Sequence, residues 1–167
     1  MTRASSTLGG ILYLVVLVWA NVGWVQAEEP YKIAAILPLS GDLAIWGERI
    51  RDGMELAREA LTKDDRRRIA LTYEDASTSA AAVSAFHKLL GTENLKAVVV
   101  FGSSMGHAIG PIAQQRGIIV VAVAASDPKV TFGKSLVFTH WVSPETEAKK
   151  MAEEVAKRGY KSIALII

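Results

Sequence analysis

Residues 31–62 read YKIAAILPLSGDLAIWGERIRDGMELAREALT, and the hydrophobic pattern changes part-way along them. Tyr31 to Leu39 is an unalternating apolar run rich in branched side chains, the pattern of a buried strand, and it stops at Pro38 and the turn-like Ser40-Gly41-Asp42. From Glu48 the pattern takes helical period. Ile50, Met54, Ala57 and Leu61 form one apolar stripe, while Arg49, Asp52, Glu55, Arg58 and Glu59 face water. A buried strand that feeds an amphipathic helix is half of a βαβ unit.

Working outward, the same alternation recurs. RIALTY, from Arg68 to Tyr73, reads as a short strand that ends at Glu74-Asp75, and Ser79 to Leu90 as a helix with Ala82, Val83, Phe86, Leu89 and Leu90 inward and Gly91 as its stop. KAVVVFG, from Lys96 to Gly102, has no alternation, as expected of a parallel strand covered on both faces. Ser103-Ser104-Met105-Gly106 opens a helix through Ala108, Ile109, Ile112 and Ala113, and Gly117 precedes the strand IIVVAVAA. After a turn at Asp127-Pro128 come a short strand, Leu136 to His140, and a helix begun by Pro144-Glu145, with Ala148, Met151, Ala152 and Val155 on its apolar side. Gly159 and Tyr160 lead to KSIALII, residues 161–167, read as a further strand. The fold class expected is α/β: a three-layer sandwich around a mostly parallel sheet with helices on both faces. A final strand with no helix after it reads as a chain cut short, prone to associate through its sheet edge.

Upstream, Arg3 precedes the apolar stretch ILYLVVLVWA, and Val25-Gln26-Ala27 puts small or short side chains just before Glu28. This is the pattern of a signal peptide over residues 1–27, cleaved after Ala27. A membrane anchor would need about 20 uninterrupted apolar residues, and Asn21, Gly23 and Gln26 interrupt the run. About 140 residues then remain, enough for one real core. There is no cysteine, although an exported chain could use disulfides, so the core must hold the fold. Lysine and arginine total 19 against 17 acidic residues. The one basic run, Arg66-Arg67-Arg68, directly follows Asp64 and Asp65 and reads as a solvated loop, so no nucleic-acid surface is expected.

In an open parallel sheet, ligands bind beyond the carboxyl ends of the strands. Those ends are Pro38 to Trp46, Asp75 to Ser79, Gly102 to Met105 and Ala124 to Asp127. Ser103 and Ser104 stand at a strand-to-helix step, where backbone amides and hydroxyls can hold a carboxylate. Ala124-Ala125-Ser126 offers a carbonyl and a hydroxyl to an ammonium group, so the two loops together suit a zwitterion. The plainer alternative is that Ser103 and Ser126 are helix caps. Trp46, beside Gly47, reads either as a lid over a solute side chain or as a half-buried plug. An enzyme reading also exists: Gly102-Ser103-Ser104-Met105-Gly106 matches G-x-S-x-G after a strand, with Ser104 as nucleophile and Asp127 and His140 following in the order of an α/β-type serine hydrolase. Against it, no glycine-rich oxyanion segment follows the first strands. His87 and His107 lie on different helices without metal-ligand spacing, so no metal is expected. The glycines of PLSGDLAIWG are too far apart for a dinucleotide turn, and no cofactor is expected.

The segment KIAAILPLSGDLAIWGERIRDGMELAREA resembles the opening of the type I periplasmic solute-binding proteins of the branched-chain amino acid group, the Leu/Ile/Val-binding proteins and their amide- and aromatic-binding relatives. The shared pattern is Pro38-Leu39-Ser40-Gly41, then Gly47, then Gly53 followed by Leu56-Ala57. YEDASTSAAAVSAFHKLL, PIAQQRGIIVVAVAASDP and LVFTHWVSPETEAKKMAEEVAKRGYKSIALI resemble the later stretches in order. The resemblance implies a first lobe over residues 28–140 and, over 141–167, the crossover helix and first strand of an incomplete second lobe. It implies that Ser103 holds the ligand carboxylate, that the Ala124 carbonyl faces the ammonium, that Ser126 supports both, and that Trp46 packs on the solute side chain. Val99-Val100 stands where the family has glycine, and Val123 where it has proline. The implied role is non-catalytic: capture of an amino acid, amide or related carboxylate in the periplasm for delivery to an ABC permease. A chain truncated at the start of the second lobe is expected to bind weakly or not at all.

Overall fold

The computed structural model of the chain describes residues 29–92 and 94–164. The signal peptide expected over residues 1–27 lies outside the described residues, as do residues 165–167 of the strand expected at the end. Strand β1 (Tyr31–Leu37) is followed by a 3-10 turn (Gly41–Leu43), helix α1 (Ala44–Glu59) and a short helix α2 (Lys63–Arg67). Then come β2 (Ile69–Asp75), α3 (Ser79–Thr92), β3 (Leu95–Phe101), α4 (Gly102–Gln115), β4 (Ile119–Val123), a second 3-10 turn (Pro128–Val130), β5 (Val137–His140) and α5 (Pro144–Lys157). The five strands form one parallel sheet in the order β2-β1-β3-β4-β5. The order reverses between β1 and β3, and there the connections leave toward opposite faces of the sheet.

Strand alternation divides the sheet into two unequal faces. Ala34 and Ile36 of β1, Val98 and Val100 of β3, and Val120 and Ala122 of β4 point to one side. They form the core there with Ala82, Phe86 and Leu89 of α3 and Met105, Ile109 and Ala113 of α4. On the other side α1 packs on β1, burying Ala35 and Leu37 completely. Across that face the ladder Ala35–Val99–Val121–Phe138 runs outward from α1. Exposure rises along it. Val99 and Val121 are half-buried and Phe138 is 52% exposed. The expectation that the third strand is covered on both faces therefore holds for Val98 and Val100 but not for Val99.

Several boundaries differ from the expected ones for local reasons. α1 begins at Ala44 rather than Glu48, because the 3-10 turn runs straight into it with Leu43 as an N-cap that makes no side-chain bond. Trp46 therefore stands in the first turn of a helix. The basic run is not an open loop. Thr62 caps α2 by accepting from the Asp65 amide, and the Arg66 guanidinium donates to the Glu59 carbonyl at the end of α1. Gly91 does not stop α3, which continues to Thr92. The described residues 161–164 form no strand. Tyr73 of β2 donates its hydroxyl to Glu55 of α1 at 3.0 Å; burial first, and then the Glu55 carboxylate, push the phenol up to about 12.

Candidate functional site

Three loops converge where the strand order reverses. The β1 loop is fixed first. Asp75, at the end of β2, accepts from the Leu39 amide at 2.8 Å and the Ser40 hydroxyl at 2.5 Å, and the Ala76 amide donates to the Leu37 carbonyl. The bond from Ser40, with that from Leu39, holds the Asp75 carboxyl below its ordinary range. A lowered native pKa contributes stability above the unfolded value, about 4, and that contribution is lost as pH falls through the native one. Urea midpoints of Asp75→Asn measured against pH should therefore fall less steeply on the acid side than those of the wild type; parallel acid limbs would assign Asp75 no such role.

The second fixed point is Gly47 of α1. A Cβ there would lie 2.0 Å from the Pro38 carbonyl oxygen, so only glycine lets α1 cross the end of β1 this closely. The spacing from Pro38-Leu39-Ser40-Gly41 to Gly47 is thus a packing requirement. It also turns Trp46 outward, 58% exposed, at the carboxyl edge of the sheet.

The third element is the β3–α4 step. Gly102 has a φ of 73°, in the left-handed region open to glycine, and turns the chain directly into α4. No side chain caps that helix: its N-cap is Phe101. The amides of its first turn therefore point up from the sheet edge with Ser103 and Ser104 beside them. A cleft of about 150 Å³ opens here, lined by Leu43, Ser77, Ser79, Phe101, Ser103 and Ser104 among others. Ser77, in the loop after β2, and Ser79, the first residue of α3, lie at the expected edge but were given no role from the sequence, and Leu43 rather than Trp46 lines this cleft.

The β4 loop lies beside it. Ala124 has a φ of 56°, the one non-glycine residue with positive φ among the described residues. Such a conformation costs alanine on the order of 1–2 kcal/mol, and backbone strain of this kind gathers at binding sites. Asp127, not Ser126, caps the following 3-10 turn, accepting from the Lys129 amide at 2.9 Å. Neither Ser103 nor Ser126 is a helix cap: the N-caps are Phe101 and Asp127. The Asp127 amide donates to Ser103 Oγ at 3.2 Å, which ties the second loop to the first. His107 Nε2 lies 2.8 Å from Asp127 Oδ2, and with the Lys129 amide it holds that carboxyl below its ordinary range.

The family model described as periplasmic binding protein matches residues 30–167. The chain belongs to that family. The Leu/Ile/Val-binding protein homolog 3 of Brucella melitensis is 26% identical over 145 residues, covering 83% of this chain and 39% of that protein. A leucine binding protein from Thermotoga maritima is 27% identical with a TM-score of 0.68, covering 77% of this chain and 37% of that one. A Rhodopseudomonas palustris solute-binding protein in complex with 4-hydroxybenzoate shares the fold at 16% identity and a TM-score of 0.70, covering 78% and 37%. The chain thus spans about two-fifths of the length of these relatives, and its sheet matches a single lobe.

Membership of this family of non-catalytic binding proteins supports a non-enzymatic role. The geometry agrees where it bears on the hydrolase alternative. A nucleophile elbow places its serine on a strained turn, whereas here Ser104 lies inside α4, and the strained residue nearby is Ala124. Asp127 engages His107, not His140, whose carbonyl accepts from the Ala124 amide. Among the described residues no helix is long and apolar enough to cross a membrane.

Proposed function

We propose that this chain is the first lobe of an extracytoplasmic solute-binding component of an ABC transporter, and that the intact protein takes an amino acid or a related carboxylate. In this reading the solute carboxylate sits on the uncapped first turn of α4 and on the Ser103 hydroxyl. An ammonium group, where there is one, meets the Ala124 carbonyl and Ser126, while Trp46 and Leu43 face the apolar body. The observation that supports this most is the bond from the Asp127 amide to Ser103 Oγ, which ties the polar loops after β3 and β4 together. Because that hydroxyl accepts from Asp127, its proton is left to be donated, and a carboxylate is an acceptor only. The similarity to proteins named for leucine and for Leu/Ile/Val supports an amino acid before other carboxylates. Delivery to a membrane permease and a periplasmic location follow from the same family reading.

One lobe gives half a site, so the chain should bind leucine in the millimolar range, a binding free energy of about −4 kcal/mol. A hydrogen bond to a charged group contributes about 1.5–3 kcal/mol, so Ser103→Ala should weaken leucine at least tenfold. Ser104→Ala should leave it within about twofold and expose no lost ester hydrolysis. Equal affinity in Ser103→Ala and wild type would remove Ser103 from the site. Hydrolysis abolished by Ser104→Ala would favour the enzyme reading instead.

A further inference from the structure

We propose that His107 and Asp127 are positioning residues for the solute headgroup: their side chains clasp residues 124–127 onto the first turns of α4, so that Ser103, Ala124 and Ser126 present their polar atoms together. The inference rests on the solute reading of the same site. Neither His107 nor Asp127 is among the residues to which the family resemblance assigns a solute contact.

Asp127 is committed at three atoms. Its amide donates to Ser103 Oγ, Oδ1 accepts from the Lys129 amide, and Oδ2 accepts from His107 Nε2, a carboxylate being able only to accept. All three bonds fix the loop and none points to a solute. The pairing also answers an electrostatic problem. A carboxylate next to Ser103 would repel a solute carboxylate placed there, and a hydrogen bond from His107 draws Asp127's charge away from that position. Beneath the clasp, Gly106 leaves room for Val130: a Cβ there would meet Val130 Cγ1 at 2.8 Å, so the 3-10 turn seats directly on α4. Buried Ala125 and Val130 anchor the loop from below, and the polar pair closes it from above. Between these anchors Ala124 is held in its left-handed conformation.

Both side chains of the pair are about two-fifths exposed, so their bond adds little to global stability. A positioning role therefore separates from a structural one. In the full chain, His107→Ala should speed hydrogen exchange of the Asp127 amide at least tenfold while leaving the Val120 amide and the urea midpoint unchanged. It should also weaken leucine about tenfold. His107→Gln, which keeps an N–H donor, should restore both to within about threefold of wild type. Unchanged exchange at Asp127 in His107→Ala would overturn the clasp even if wild type binds leucine. Faster exchange with unchanged leucine affinity would overturn its positioning role. Faster exchange in a wild-type background that takes neither leucine nor 4-hydroxybenzoate would instead sink the solute reading, and the purpose assigned to the clasp with it.

Discussion

Gly47→Ala should destabilise the chain by about 3 kcal/mol or more, the upper range for overpacking at a site that cannot yield. The added Cβ would stand 2.0 Å from the Pro38 oxygen and 2.7 Å from its carbonyl carbon. Both are backbone atoms at the buried end of β1, so no rotamer change relieves the contact. α1 would have to lift from the sheet, uncovering Ala35 and Leu37 and displacing the loop that Asp75 holds. Gly53, six residues on in the same helix, is the control, because nothing lies within 4 Å of a Cβ there. Gly53→Ala should gain up to about 1 kcal/mol from helix propensity alone. Urea unfolding of the two variants isolates the contact from the propensity; a Gly47→Ala variant within about 1 kcal/mol of wild type would show that α1 does not need this approach.

The second large effect concerns association. The half-open face of the sheet carries Val99, Val121, Ile119 and Phe138, with Ile119 41% and Phe138 52% exposed. Contiguous apolar surface of this kind drives association in water. The sequence points to the sheet edge as the hazard. The edge beside this face, β5, is only four residues long, and short edges are poor templates; the far edge, β2, has seven residues. In sedimentation velocity at rising concentration the wild-type chain should self-associate, and the double substitution Val121→Thr with Phe138→Thr, which puts strand-favouring β-branched threonine at both positions, should shift it toward monomer with an unchanged far-ultraviolet spectrum. A wild type that stays monomeric throughout would mean that the face is covered within the chain itself.

The strands from β1 to β5 and their parallel sense were legible because apolar runs without alternation have few other uses in an α/β chain, whereas the strand expected from Lys161 is not formed in the described residues 161–164. What escaped the sequence did so for identifiable reasons. The start of α1 carries no polar cap, since Leu43 makes no side-chain bond, so the four residues before Glu48 gave no signal. The cap of α2 was visible as Thr62 three residues before Asp65, but the charges around it read more readily as solvent-facing. Coverage of the second face depends on which helices cross it, which local pattern does not encode. Ser103, Ala124 and Ser126 could be placed on neighbouring loops from the strand ends and the family resemblance. The clasp could not: His107 and Asp127 are 20 residues apart on different elements, and only the register of β3 on β4 brings them within 2.8 Å.

The measurement that bears most directly on the site is a titration of the isotopically labelled chain with leucine, followed amide by amide. Saturable shifts confined to Ser103, Ser104 and residues 124–127, with the strand amides of β2 unmoved, are the expected result and place the solute at the switch point of the sheet. Saturable shifts centred instead on the opposite edge, around Tyr31 and Arg68, or no shift at Ser103 at millimolar leucine, would contradict it.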